Sequence, residues 1–272
     1  ELCYKYLIAK MNDLKKIMNV MIPLSLKAGR EIMKFYSEKI VFEEKPDSSP
    51  VTEADKLADK LICDELSNKF PEIMLISEES YIDKKINKFD DIFFLIDPLD
   101  GTKEFIEKND EFTVNIALII KNKAKLGVIY APAKRILFYT DIKQNSYQID
   151  VEDEEKDIDF KKSKKILVSN KSSELTIVTS RSHSNYKTER YIQKNKIINK
   201  KVCGSSLKFC LIANGSADIY PRYGPTREWD TAAGHAILQA AGGSVKELNG
   251  NELLYGKTER NLINREFIAS NF

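Results

Sequence analysis

Net charge, paired cysteines and long apolar runs are all scarce in this chain. Lys and Arg number 43 against 41 Asp and Glu, a balance of +2. No excess of one sign points to a nucleic-acid polymer or an anionic membrane, so a charged partner must be met locally. The four cysteines, Cys3, Cys63, Cys203 and Cys210, form no Cys-x-x-Cys pair, and reduced, buried thiols in a cytosolic protein are the expectation. No apolar stretch approaches the ~20 residues that cross a bilayer. The lysine-studded N-terminal stretch has neither the apolar block nor the small-residue cleavage site of a signal peptide. A cytoplasmic protein with no targeting or integral membrane segment is therefore expected, with peripheral membrane attachment and oligomeric state left open. There is no internal repeat and no low-complexity tract. The 272 residues, 42% hydrophobic and 31% charged, suffice for one large domain or two packed halves.

What is present is organised around Phe93 to Phe105, Phe-Phe-Leu-Ile-Asp-Pro-Leu-Asp-Gly-Thr-Lys-Glu-Phe. Phe93 to Ile96 is a short apolar run of the kind that makes a strand buried on both faces, and it stops at Asp97. Pro98 has a fixed φ and no N–H, and Gly101 tolerates positive φ, so Asp97 to Thr102 is expected to turn tightly. Such a turn can aim Asp97, Asp100 and the Leu99 carbonyl at one point. An isolated Asp-Pro-x-Asp-Gly needs no more explanation than aspartates accepting backbone N–H groups. The spacing does not fit a calcium EF-hand loop.

Upstream, Leu14, Ile17, Met18, Met21, Ala28, Ile32, Phe35 and Tyr36 recur at near-helical spacing, with Pro23 expected to kink or divide the element. Glu43 to Pro50 is a loop by composition. A helix is expected from Val51-Thr52-Glu53-Ala54-Asp55, with Leu57, Leu61, Ile62 and Leu66 as its apolar stripe and its end near Phe70-Pro71. Thr52 and Asp55 fit a capping box, which alone would account for both. Met74 to Ser77 reads as a second short apolar strand emptying into acid, at Glu78-Glu79. Acids delivered by two adjacent strand ends, ~5 Å apart, could converge. Converged carboxylates repel and raise one another's pKa, a conflict that a divalent metal resolves.

Val114 to Ile120, Leu126 to Tyr130 and Ile136 to Thr140 read as further strands. The acidic stretch 150–159, followed by lysines, is the best boundary between an N-terminal half, 1–160, and a C-terminal half, 161–272. The second half has an α/β rhythm: strands at Ile166 to Val168 and Thr176 to Thr179, and a polar helix near Asn185 to Gln193. A helix from Ser205 to Ala213 and a strand at Ala217 to Tyr220 follow. Pro221 to Pro225 is then a loop. Asp230, in Trp229-Asp230-Thr231-Ala232-Ala233-Gly234, is best read by itself as the N-cap of a small-residue helix running to about Ala241.

Taken together, Asp97-Pro98-Leu99-Asp100-Gly101-Thr102, the preceding Glu78-Glu79, Val51-Thr52-x-x-Asp55 and the distant Trp229-Asp230 segment resemble the magnesium-dependent, lithium-sensitive phosphatases of the inositol monophosphatase superfamily. The likeness covers nearly the whole chain. It implies an α/β (α+β) fold, the layered α-β-α-β-α sandwich of inositol monophosphatase and fructose-1,6-bisphosphatase, and two to three Mg2+ ions. By the same resemblance one ion is held by Glu78, Asp97 and the Leu99 carbonyl, a second by Asp97, Asp100 and Asp230, and a third more weakly by Glu78. Asp55 and Thr102 would activate the attacking water, with Glu79 in support and the Gly101 and Thr102 N–H groups on phosphate oxygens.

Lys103-Glu104-Phe105, Gly204-Ser205-Ser206-Leu207-Lys208 and Tyr220 to Pro225 look like the 3'(2'),5'-bisphosphate nucleotidase branch. That likeness implies a small-molecule nucleotide substrate. Lys208 and Arg222 would suit its 5'-phosphate, Ser205 would share a helical face with Lys208, and His183, in Arg181-Ser182-His183, would touch ribose or adenine. His235, inside the Asp230 helix, reads as a packed or partly exposed histidine rather than a catalyst. The expected activity is hydrolysis of the 3'-phosphate of adenosine 3',5'-bisphosphate to AMP, with the sulfated analogue as a second substrate, in sulfur assimilation and nucleotide recycling. Inositol monophosphate hydrolysis on the same metal core is the enzymatic alternative, and a non-catalytic nucleotide or metal sensor the alternative of another class.

Overall fold

A computed structural model of the chain describes residues 2–45, 49–81, 89–153, 158–182 and 185–272, with side chains from residue 13 onward. The first half runs α1 (Leu2–Tyr36), β1 (Phe42–Glu44), β2 (Pro50–Thr52), α2 (Glu53–Lys69), β3 (Met74–Ser77), β4 (Ile92–Asp100) and α3 (Thr102–Ile106). It continues through β5 (Thr113–Ile120), β6 (Lys123–Ala131), β7 (Ile136–Thr140) and β8 (Ser146–Asp150) to β9 (Lys164–Ile166). Then come β10 (Thr176–Ser180), α4 (Tyr186–Lys194), β11 (Asn199–Cys203), α5 (Leu207–Ala213), β12 (Ile219–Arg222), α6 (Trp229–Ala240), β13 (Ser244–Glu247) and β14 (Phe267–Ser270).

Among the described residues, β3 to β9 make a seven-stranded sheet in sequence order, parallel only at β3–β4. A five-stranded sheet has the order β11-β10-β12-β14-β13. α1 and α2 cover one face of the larger sheet, and α5 and α6 lie between the two sheets. With α4 in the crossover from β10 to β11, this is the layered α-β-α-β-α sandwich. The run in β4 is buried on both faces, as its unbroken apolarity predicts: Phe94 and Ile96 join the core under α1 and α2, and Phe93 and Leu95 join the core around α6. Among the described residues no helix is long and apolar enough to cross a membrane.

Several local expectations are corrected. α1 is not divided at Pro23: Met21, Ile22, Leu24, Leu26 and Ala28 are buried around it, and packing holds the helix across one missing hydrogen bond. The stretch expected to be a loop, Glu43 to Pro50, has strands at its ends, paired as a β1–β2 hairpin, while 46–48 lie outside the described residues. On α2, Leu57 is 38% exposed, and the buried face is Ala54, Asp55, Ala58, Asp59, Ile62 and Leu66. The stripe rotates because Asp55 and Asp59 must face the strand ends. β12 continues through Pro221 and Arg222, which pair with Ile268 and Phe267 of β14. In the acidic stretch 150–159, residues 154–157 lie outside those described, and β9 beyond it completes the larger sheet by pairing with β8. Cys63, Cys203 and Cys210 are free thiols, the last two buried.

α6 approaches β6 closely at Gly127, where a Cβ would lie 2.4 Å from the Ala233 carbonyl oxygen and 3.0 Å from the Ala236 methyl. Backbone cannot yield as a side chain would. Gly127→Ala is expected to lower the unfolding free energy by about 1–3 kcal/mol, read from urea denaturation of the metal-free protein.

Candidate active site

Glu78 stands at the end of β3, where its N–H donates to the Ile96 carbonyl of β4 at 3.1 Å. The neighbouring strand does not stop at Asp97 as expected. It is bulged between Asp97 and Asp100, and pairing resumes at Asp100 with Thr113. Pro98 has no N–H for the ladder, so the extra residues bow out and re-aim their side chains. The Asp97 Oδ1 accepts the Leu99 N–H at 3.1 Å, and Gly101, at φ 94°, turns the chain into α3.

Asp230 enters from the far end of the sequence on α6. It is not the N-cap: Glu228 is, and the Asp230 Oδ2 accepts the Arg227 N–H at 2.8 Å. Glu228 is fully buried. Its carboxylate accepts the Gly256 N–H at 2.6 Å and the Lys257 N–H at 3.0 Å, and pairs with the Lys257 ammonium at 2.9 Å. The start of the helix is thereby tied to the loop before β14.

These elements bring Glu78, Asp97 and Asp230 together, with one oxygen of each within 4.8 Å of the others. Asp100 is beside them, its Oδ2 accepting the Ser206 N–H at 2.5 Å and the Asn115 amide at 3.3 Å. The Leu99 carbonyl oxygen lies 3.3 Å from the Thr102 hydroxyl. Burial, then Glu78, Asp100 and Asp230, push Asp97 well above the ordinary carboxylate range. Burial, then Asp100 and Glu78, do the same to Asp230. Asp100 is pushed up to about 6 by burial, against the pull of Lys208. A site in which buried acids disfavour one another's ionisation is one that a divalent cation would relieve. The donor set, carboxylates and a carbonyl, is all oxygen and suits a hard ion such as Mg2+.

Lys45, which the sequence reading did not single out, donates from Nζ to Glu78 Oε1 at 2.7 Å and to Glu79 Oε1 at 2.6 Å. Burial lowers its pKa, but the two carboxylates outweigh that and hold it above the ordinary value. Burial lifts Glu79 to about 7 in spite of Lys45. The two shifts pull opposite ways on one ion pair, and the proton stays on Lys45, whose pKa is the higher. A single lysine among 43 basic residues carries no local signal of this role.

Asp55 does what the capping box predicts and more. Its Oδ2 accepts from the Thr52 N–H at 2.7 Å and the Thr52 hydroxyl at 2.5 Å, while Oδ1 accepts the Thr102 hydroxyl at 3.0 Å. Burial raises its pKa against these hydrogen bonds.

A cavity of about 240 Å³ opens beside the acids, lined by Glu78, Asp97, Asp100, Gly101, Thr102, Ser205, Lys208, Arg222 and Asp230 among others. Ser205 does not share a helical face with Lys208. It precedes α5 at φ 47°, and Lys208, only 6% exposed, folds back to donate to the Ser205 carbonyl at 2.5 Å. Arg222 donates from Nη1 to the Ser180 hydroxyl and from Nη2 to the Pro225 carbonyl, both at 2.9 Å. Its Nε is buried with no partner among the described residues. His183 lies outside the described residues. Its neighbours are fastened nearby: Arg181 forks onto Glu111 at 2.9 and 3.0 Å, and Ser182 donates to Glu104 at 2.5 Å. Glu111 also accepts the Gly204 N–H at 2.7 Å, a role with no sequence signal. His235 is packed, as expected: its Nδ1 lies 3.0 Å from the Tyr255 hydroxyl, and burial depresses its pKa to about 4.

The chain is similar to known proteins over nearly its whole length. The model of the inositol monophosphatase family matches residues 13–271. A Buchnera aphidicola protein named 3'(2'),5'-bisphosphate nucleotidase CysQ is 44% identical over 262 residues, 95% of each chain. Among solved structures, CysQ from Bacteroides thetaiotaomicron superposes with a TM-score of 0.79 at 38% identity, covering 93% of this chain and 97% of that one. An IMPase of Thermotoga maritima superposes at 0.75 with 26% identity, covering 94% and 92%.

The raised acids set a pH dependence. A group whose folded pKa exceeds its unfolded value contributes stability that is fully present below the unfolded pKa, ~4 for Asp and Glu. That stability is lost as pH rises through the folded value, about 6 for Asp100 and about 7 for Glu79. The metal-free protein is therefore expected to gain thermal stability as pH falls from 8 towards 5. Saturating Mg2+ should flatten that trend by stabilising the ionised acids, and differential scanning fluorimetry across pH with and without the ion reads both.

Proposed function

The chain belongs to the inositol monophosphatase family, and we propose that within it the protein is a 3'(2'),5'-bisphosphate nucleotidase. It hydrolyses the 3'-phosphate of adenosine 3',5'-bisphosphate to AMP and phosphate, and removes the same phosphate from the sulfated analogue, serving sulfur assimilation and nucleotide recycling in the cytoplasm. The observation that carries this reading is 44% identity over 95% of both chains to a relative so named, against 26% to the IMPase of similar fold.

Glu78, Asp97, the Leu99 carbonyl, Asp100 and Asp230 would hold two Mg2+ ions, with Glu78 sharing a third. Bound there, magnesium supplies positive charge for the attacking and leaving oxygens of an in-line displacement. The rest falls to the chain's own groups. Uncatalysed phosphate-monoester hydrolysis is slow enough that accelerations reach ~10²¹, of which one positioned base supplies ~10² to 10⁴.

That base is Asp55. The Thr102 hydroxyl already donates to Asp55 Oδ1 at 3.0 Å, so a water that donates to Thr102 Oγ1 can pass its proton along the pair to Asp55. Burial raises the pKa of Asp55, which makes the carboxylate a better proton acceptor than an exposed one. The Gly101 and Thr102 N–H groups, where the chain turns into α3, hold phosphate oxygens.

Specificity falls to the other wall of the cavity. Lys208 and Arg222 are cations lining it, and their charge suits the oxygens of the 5'-phosphate. An inositol ring with one phosphate would bring no second anion to these cations. Ser205 lines the same wall, and His183 stays the candidate for the nucleoside. Labour divides accordingly: residues 1–160 carry most of the acids, and 161–272 carry the nucleotide wall and Asp230.

Phosphate release with Mg2+ should be much faster from adenosine 3',5'-bisphosphate than from inositol monophosphate, and lithium should inhibit it. A preference for inositol monophosphate would overturn the assignment. In Asp55→Asn, turnover should fall at least ~10²-fold while AMP still binds by calorimetry. Unchanged turnover would remove Asp55 from the mechanism.

A further inference from the structure

Asp59 follows Asp55 by one turn on the buried face of α2, and nothing in the reaction scheme uses it. It is 8% exposed, and among the described residues no basic side chain pairs with it. Its acceptors are nevertheless filled: Oδ1 takes the Ser77 hydroxyl, Oδ2 the Ser80 hydroxyl, and the Cys63 thiol lies 3.4 Å from Oδ1. Ser77 and Ser80 bracket Glu78 and Glu79. One carboxylate thus grips both sides of the turn that presents the metal-facing acid.

The turn has further ties: the Lys45 ammonium pairs with Glu78 and Glu79, and the Tyr81 hydroxyl donates to Asn261 at 2.6 Å. The Tyr81 N–H donates to the Ser77 carbonyl at 2.8 Å, closing it, and the Glu78 N–H donates to Ile96 at 3.1 Å, docking it to β4. These fix the backbone at its start and across its span. Neither backbone bond reaches α2, and the hydrogen bonds of Asp59 are what join both Ser77 and Ser80 to that helix. A neutral residue would serve packing as well, and a further anion close to crowded acids is costly unless its hydrogen bonds matter. Charge-assisted bonds to two hydroxyls are the stronger kind and fix direction.

We propose that Asp59 is a positioning residue for the metal site, holding the Ser77–Ser80 turn so that Glu78 and Glu79 face Asp97 and Asp230 before any ion arrives. The proposal rests on the reading of Glu78 as a magnesium ligand. One α2 face then serves both halves of the chemistry, Asp55 through Thr102 and Asp59 through the turn. Loss of the grip raises the cost of gathering Glu78 around the ion, so it weakens Mg2+ binding and leaves the saturated enzyme able to turn over.

The test is calorimetric titration of Mg2+ alone into metal-free wild type, Asp59→Ala, Asp59→Asn, Ser80→Ala and Ile62→Val. Ile62 is buried on the same helix, and its variant loosens the fold without touching the turn. Outer-sphere partners of metal ligands are typically worth ~10 to 100-fold in affinity. Asp59→Ala should raise the Mg2+ dissociation constant about tenfold at the low end of that range. Ser80→Ala should raise it less, Asp59→Asn should recover much of the loss through its remaining amide oxygen, and Ile62→Val should not move it. At saturating Mg2+, kcat on adenosine 3',5'-bisphosphate should return to near wild type in Asp59→Ala. Unchanged Mg2+ affinity in Asp59→Ala and Ser80→Ala, or an equal loss in Ile62→Val, would overturn the proposal. If Asp59→Ala does not fold, Ser80→Ala against Ile62→Val decides. Wild type that binds no Mg2+ would instead sink the metal site itself.

Discussion

Mutual repulsion among crowded carboxylates is the constraint that the rest of this molecule accommodates. Glu78, Asp97 and Asp230 have oxygens within 4.8 Å of one another. Two unit charges at such a distance repel by roughly 3–4 kcal/mol at an effective dielectric of ~20, and a whole domain is stable by only about 5–15 kcal/mol. Full ionisation without a counter-charge would consume much of that margin. In the metal-free molecule burial and neighbouring charge raise the pKa values of Asp97, Asp100 and Asp230, which favours their neutral forms, and the Lys45 ammonium is set against Glu78 and Glu79.

Holding such groups together takes firm anchors, and each acid has one outside the cluster. The Glu78 backbone is docked on β4, Asp97 accepts the Leu99 N–H within the bulge, and Asp100 accepts from Ser206 at the head of α5. Asp230 rides on a helix whose first turn is tied through buried Glu228 to Gly256 and Lys257. The grip of Asp59 on Ser77 and Ser80 belongs to the same set. Some of these polar tethers lie within the larger sheet and others join it to α2 and α5, whereas the apolar cores on either side of β4 set the distance between layers.

The sequence made the strongly patterned parts legible. Phe93 to Ile96 reads as a doubly buried strand because it is one, and Thr52 with Asp55 reads as a capping box because hydrogen bonds three residues apart are local. What escaped was decided over long range. Asp230 has the composition of an N-cap, but the buried Glu228–Lys257 pair claims that position. Ser205 and Lys208 have helical spacing, yet Ser205 sits in the left-handed region before α5 starts. Leu57 fits the apolar stripe, but the helix turns its acids to the site and Leu57 to solvent. Lys45, Asp59 and Glu111 have no pattern at all, since their partners lie 18 to 93 residues away in the chain.

If the acids hold their protons until a cation replaces them, Mg2+ binding must expel protons. Calorimetric titration of Mg2+ near pH 6.5, repeated in buffers of different ionisation enthalpy, counts them directly. The account predicts net proton release, shrinking as pH rises towards 8. No binding at all would contradict the claim that these remote carboxylates form one metal site, and binding with no proton release would contradict the claim that their crowding raises their pKa values.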